Sequence, residues 1–211
     1  MLGDVLLLTA KHKRIALELV SHVLGLERPI ISISGESGSG KSEVAHYLAE
    51  ILKETGKRAK IMHTDNYYRI PPQKRRQWRE DNGIANVGFD EYDWDYINSN
   101  ILSYRTKTKA IMPCLDRLTD QMDQLITDFR DVDVLILEGL YAIKAESDLK
   151  VMIKKTYHHN QKAQIKRGKE VLDEFRLAVL EREHVCVQSL KKIVDIFISS
   201  KFTLSFPKKQ S

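Results

Sequence analysis

An octapeptide, GESGSGKS from Gly35 to Ser42, constrains this chain more than any other stretch. It follows the apolar run Ile30–Ile31–Ser32–Ile33 and opens a segment of helical periodicity, so it stands at a strand-to-helix turn. Glycines at such a turn let successive backbone N–H groups converge on phosphate oxygens, and the helix N-terminus adds the positive end of its dipole. Gly35, Glu36, Ser37, Gly38, Ser39, Gly40, Lys41 and Ser42 are therefore the expected nucleotide-binding residues. Lys41 can reach the β- and γ-phosphates, and the Ser42 hydroxyl can ligate the Mg²⁺ that accompanies them. A merely flexible Gly/Ser loop would not place Lys and Ser in this register behind a strand.

The remaining pattern alternates strands with helices. Residues 4–24 read as a helix whose apolar face is Ile15, Ala16, Leu19, Val20, Val23 and Leu24, stopped by Gly25. Strands are expected at about 29–34, 58–63, 132–137, 149–155 and 194–199. The run Val132–Leu137 is nearly all apolar at its centre, as parallel strands covered on both faces are. The segment after the octapeptide carries Val44, Tyr47, Leu48, Ile51 and Leu52, the spacing of a helix packed on a sheet. The fold class is α/β: one domain over 1–211, with a five-stranded parallel sheet flanked by helices and its ligand site at the strands' carboxyl ends. The stretch 66–131 is least regular; Leu118, Met122, Leu125, Ile126 and Phe129 fit a helix, yet 125–129 also reads as a strand.

Charge and cysteine content narrow the function classes. A net charge of +5 spread over 211 residues suits anionic small molecules and makes no nucleic-acid footprint by itself. Two scattered cysteines, Cys114 and Cys186, give neither a disulfide framework nor a zinc site, which points to a reducing, cytoplasmic setting. No apolar run approaches a membrane span, and Asp4 ahead of the short apolar run Val5–Leu8 argues against a signal peptide. Lys74–Arg79 is the densest basic run; it reads as a solvated helix face, with a binding surface built around Trp78 as the alternative. Glu183–His184 reads as a surface or packing pair.

Two carboxylates stand at expected strand ends. Asp65 follows the second strand in HTDNYYR, and Glu138 follows the third in LILEG. Phosphoryl transfer needs a metal-bound phosphate, a positioned hydroxyl and an acceptor for its proton. Asp65 is the candidate for that last role and Glu138 the candidate metal residue beside Ser42. A turn or capping Asp and a solvated loop Glu are the competing readings.

The pieces GESGSGKS, DNYYR, GFDEYDWD (Gly88–Asp95), PCLD and ILEGLYAI, in this order, resemble the uridine kinase and phosphoribulokinase family of P-loop kinases. The resemblance runs from about 29 to 200. It implies ATP and Mg²⁺ as donor and cofactor, and a small-molecule acceptor, a nucleoside or another sugar-bearing alcohol. It also implies an acceptor-binding insertion over about 66–131 and a basic helical lid over about 156–192. By resemblance Asp65 matches the catalytic base, Lys41 and Ser42 the phosphate and magnesium residues, and Glu138 the acidic strand-end residue. Asp90 matches an aspartate used on ribose hydroxyls, and Arg69 an arginine that serves a sugar phosphate, with Tyr68 beside it as a further acceptor-binding candidate. In the lid, Arg167 matches the turn arginine that acts on the transferring group. Lys162 can stand in for another, and His158 and His159 lie where arginines are expected.

Some positions depart from the family pattern. Leu115, Asp120 and Met122 stand where uridine kinases carry the tyrosine, histidine and arginine that read a pyrimidine nucleoside, which leaves the acceptor open. A sugar-phosphate kinase is the neighbouring alternative. A GTP-binding switch would need an NKxD stretch and a DxxG loop, and a nucleic-acid-stimulated ATPase an acidic pair after the third strand; the chain has Glu138–Gly139 instead. No nucleic-acid or membrane partner is expected, and a homo-oligomer stays open.

Overall fold

Ile30 to Gly35 forms the central strand β1, and every one of its residues is buried. The computed structural model describes residues 3–158 and 173–207. Around β1 lie the parallel strands β2 (Ala59–His63), β5 (Val134–Gly139), β6 (Leu149–Ile153) and β7 (Ile196–Ile198). A short strand β8 (Leu204–Ser205) adds antiparallel at the edge, giving the order β2-β5-β1-β6-β7-β8. The sheet therefore has six strands rather than the five expected; the sixth is a two-residue return of the chain, too short to carry a periodic signal.

Successive side chains of each strand point to opposite faces, and here both faces are covered. Ile31, Ile33, Ile136 and Val151 join one core with Val44, Leu48 and Leu52 of helix α2 (Lys41–Glu54) and Ile15 and Leu19 of helix α1 (Ala10–Val20). Ile30, Leu135, Leu137 and Met152 join the other with Ile97 and Tyr104 of helix α4 (Trp94–Arg105) and Cys186 and Val187 of helix α5 (Glu174–Ser189). This double burial is why the strands read as unbroken apolar runs.

The helix expected over 4–24 is confined to Ala10–Val20, with Thr9 extended before it. Ahead of Thr9 the chain is not helical, and the Leu7 N–H donates to Glu43 Oε1 of α2 at 3.2 Å. Of the expected face, Val23 is buried in the turns that follow but Leu24 is exposed.

The irregular stretch 66–131 resolves into helix α3 (Pro72–Asn82), α4, and an antiparallel hairpin of β3 (Lys109–Asp116) and β4 (Gln121–Asp128). Leu125 and Ile126 are thus strand residues, paired with Met112 and Ile111. Most of β4 is exposed, so its composition lacks the one-sided alternation that marks a half-buried strand. The hairpin is tied to the sheet by Asn66, whose Nδ2 donates to the Pro113 carbonyl at 3.0 Å.

Candidate active site

The ends of β1, β2 and β5 converge at one margin of the sheet. In register, Ile33 and His63 both lie opposite Glu138. The phosphate loop leaves β1 at Gly35 and enters α2 at Lys41. A Cβ on Gly35 would stand 2.8 Å from Ser39 Oγ and 3.0 Å from the Ile153 carbonyl, so the close approach there excludes other residues. Gly40 caps α2 in the left-handed region at φ 102°. The first backbone bond of the helix is Val44 N–H to the Gly40 carbonyl, which leaves the preceding amides without intrahelical partners. The buried Ser39 hydroxyl has no hydrogen-bond partner among the described residues. Helix-start amides without intrahelical partners, a buried Ser39 hydroxyl and a buried Lys41 fit a polyphosphate.

Lys41 Nζ donates to the Glu36 carbonyl at 3.1 Å. The Glu36 side chain turns away, and only 3% of the residue is exposed. Its Oε2 accepts the Tyr157 N–H at 2.6 Å, and its Oε1 accepts from His184 Nδ1 at 2.7 Å and Gln188 Nε2 at 3.0 Å. His184 is thus not a surface residue of α5 but a partner of the phosphate loop, a role that sequence periodicity gives no means to see.

Glu138 is buried at the end of β5. Burial pushes its carboxyl up, but the His63 imidazole at 2.5 Å, the Lys41 charge and a hydrogen bond from Ser42 outweigh this and hold it below the ordinary glutamate range. Ser42 and an ionised carboxylate in contact are hard oxygen donors suited to Mg²⁺. Among the described residues no group of three or more His, Cys, Asp or Glu side chains could hold a metal. A magnesium held mainly by phosphates and water needs no such cluster.

Asp65 lies in the 3₁₀ turn Thr64–Tyr67 that follows β2. A Cβ on Gly139 would collide with Thr64 Oγ1 and stand 3.4 Å from Asp65 Oδ1, so only glycine lets this turn close against the end of β5. Asp65 is thereby packed beside the residue that follows Glu138. The Tyr92 hydroxyl is 3.2 Å from Asp65 Oδ1 and 2.7 Å from the Tyr68 hydroxyl. Burial, the largest effect on both phenols, and the nearby Asp65 charge push Tyr68 and Tyr92 up, so each keeps its proton as a donor.

The acceptor-side residues divide. The Tyr68 ring meets the Arg75 guanidinium, 3.4 Å from its centroid, and the Tyr92 ring, with centroids 4.1 Å apart. Arg69 is exposed, and its Nε donates to the Tyr92 carbonyl at 3.1 Å. Asp90 is exposed and lines a pocket of about 180 Å³ with Phe89, Arg182 and Cys186. The next residue, Glu91, is buried. Its carboxylate accepts from Arg79 at 2.6 and 3.0 Å and from the Gly88 N–H at 3.0 Å, which shapes the loop that carries Asp90 and Tyr92.

Lys74–Arg79 is therefore not a uniform solvated face. Arg79 is buried between Glu91 and Glu183, Arg76 pairs with Glu80 and Asp173, and Arg75 covers Tyr68. Glu183 is buried as well. Of the lid candidates, His158 is exposed with Nε2 4.0 Å from Glu181 Oε2, while His159, Lys162 and Arg167 lie outside the described residues.

With this geometry in view, the sequence profile of the Phosphoribulokinase / Uridine kinase family matches residues 30–168. The chain belongs to the phosphoribulokinase/uridine kinase family. Within the family, a uridine kinase from Ureaplasma parvum serovar 3 is 31% identical over 132 residues, 59% of this chain and 61% of that protein. The chain thus spans about three fifths of that relative's length. A uridine kinase from Staphylococcus aureus is 22% identical over 188 residues, 80% of this chain and 86% of that protein. The structure of phosphoribulokinase from Rhodobacter spheroides superimposes with a TM-score of 0.64 at 19% identity, covering 81% of this chain and 69% of that one. At that identity the likeness is one of fold: an α/β P-loop architecture around a mostly parallel sheet.

Proposed function

We infer that this family member transfers the γ-phosphoryl group of Mg²⁺·ATP to a primary hydroxyl of a small, sugar-bearing alcohol. The observation that carries this reading is the packing of Asp65 against Gly139, directly beside the Glu138–Ser42 pair. With Asp65 as proton acceptor and Glu138–Ser42 as metal residues, this packing supports an in-line transfer at the mouth of the phosphate loop.

In this reading the loop amides, the Ser39 hydroxyl and Lys41 hold the donor phosphates. Ser42 and Glu138 hold Mg²⁺, which when bound neutralises charge on the phosphates. Tyr92 keeps Asp65 oriented. Asp65 takes the proton from the acceptor hydroxyl as its oxygen bonds to the γ-phosphorus, and the bond to the departing ADP oxygen breaks. Arg167 is assigned to the transferring group by its place in the family motif.

The names of the relatives favour a nucleoside acceptor, with uridine first, and the acceptor hydroxyls would then meet Asp90. One observation favours a second reading, an anionic alcohol such as a sugar phosphate. The Tyr68 ring is already in contact with the Arg75 guanidinium and the Tyr92 ring, and the buried Arg75 Nε has no partner among the described residues. Leu115, Asp120 and Met122 offer no replacement for the missing pyrimidine contacts.

A panel of nucleosides, sugars and sugar phosphates, assayed with Mg²⁺·ATP for phosphorylated product by mass spectrometry, tests the assignment. A phosphorylated alcohol formed in step with ADP is the expected result. ADP release that needs RNA or DNA and yields no phosphorylated alcohol would overturn it.

A further inference from the structure

A phosphate loop works by gathering positive potential, yet this one carries a carboxylate, Glu36, within it. Left free, that charge would oppose an incoming triphosphate and compete for Lys41, whose Nζ already rests on the Glu36 carbonyl. The carboxylate is instead drawn out of the loop. Both its oxygens are engaged, by the Tyr157 N–H on one and by His184 and Gln188 of α5 on the other. A buried carboxylate is held this firmly only while its donors are present. Of these donors, His184 makes the shorter side-chain contact, at 2.7 Å against 3.0 Å for Gln188.

We propose that His184 is a positioning residue for donor binding: it keeps the Glu36 carboxylate turned away from the triphosphate, so that the loop's amides and Lys41 face the nucleotide unopposed. The inference rests on the reading of Gly35–Ser42 as the ATP site, but concerns a residue outside it. It also accounts for the position of Glu183. Adjacent residues on a helix diverge by 100°. One turn of α5 therefore presents His184 to the donor loop while Glu183 meets Arg79, 3.4 Å away, on the acceptor side.

The test is the affinity for Mg²⁺·ATP, read by calorimetry without turnover, in His184→Ala, His184→Asn, Glu36→Gln and the double variant Glu36→Gln/His184→Ala. Loss of a hydrogen bond to a charged group corresponds to roughly a tenfold weakening or more in His184→Ala. His184→Asn keeps a donor at the Nδ1 position and is expected to recover most of the affinity. Removing the charge removes the problem, so His184→Ala is expected to have little further effect in the Glu36→Gln background. The KM for the acceptor stays at its wild-type value in His184→Ala. Wild-type affinity in His184→Ala overturns the proposal, as does an equal loss whether or not Glu36 is charged, which is the signature of a general packing defect. A wild-type protein that binds no Mg²⁺·ATP overturns the ATP-site reading together with it.

Discussion

His63 Nδ1 lies 2.5 Å from Glu138 Oε1, across the parallel pairing of β2 and β5. The imidazole fixes one oxygen of the carboxylate and helps to keep it ionised although it is buried. A carboxylate oriented by a second residue is a common way to stiffen a metal site. Glu138→Gln is expected to raise the Mg²⁺ concentration needed for half-maximal turnover and to lower turnover at saturation. His63→Ala is expected to raise the Mg²⁺ concentration needed for half-maximal turnover by about 10- to 100-fold through loss of that orientation. Magnesium titrations of turnover check both, and unchanged Mg²⁺ dependence in Glu138→Gln would place the metal elsewhere.

Gly139→Ala tests the contact between strand ends. The added methyl group meets Thr64 Oγ1 and crowds Asp65, so the turn after β2 must move. Overpacking of this kind costs about 1–3 kcal/mol. A lower Tm accompanied by a fall in kcat is expected; a fall in Tm alone would mean that the position of Asp65 is not critical.

Arg79 and Glu91 form a buried ion pair, with Glu183 as a third member. Removing one partner strands a charge in the interior, which costs about 3–5 kcal/mol. Arg79→Ala is therefore expected to be strongly destabilising in denaturant unfolding, and more so than a paired apolar replacement of Arg79 and Glu91. Such an order would identify the cost as an unpaired charge rather than as lost volume.

Asp173 caps α5 by accepting the Arg176 N–H at 2.8 Å and also meets Arg76. The backbone hydrogen bond, and after it the arginine, lower its carboxyl below the ordinary value of 3.8. A group with a depressed folded pKa stabilises above its unfolded pKa and loses that contribution as pH falls through the folded one. Asp173→Ala is expected to lower Tm by about 2–4 °C at neutral pH. The gap to wild type should shrink as pH falls below 3.8. A gap that does not change with pH would show that the charge plays no part.

The phosphate loop and the parallel strands were legible because each is local: a motif in fixed register and runs of apolar residues covered on both faces. The strand-end positions of Asp65 and Glu138 followed from the same pattern. What escaped were relationships across long sequence separations. Glu36 and His184 are 148 residues apart, and Arg79 and Glu183 are 104 apart; neither pair has a local signal. The arginines of Lys74–Arg79 read as solvated because the run is dense in charge, yet its neighbours in space, Tyr68, Glu91 and Asp173, give each arginine a different surrounding. The β3–β4 hairpin was ambiguous because most of β4 faces solvent.

In the proposed transfer Asp65 accepts the acceptor's proton, while donor binding is carried by other residues. Asp65→Asn, assayed for Mg²⁺·ATP affinity and for turnover on an acceptor from the panel, tests it most directly. Affinity close to wild type with turnover reduced by a factor on the order of 10² or more is the predicted result. Turnover unchanged in Asp65→Asn would rule out that role and return Asp65 to a structural one in the turn after β2.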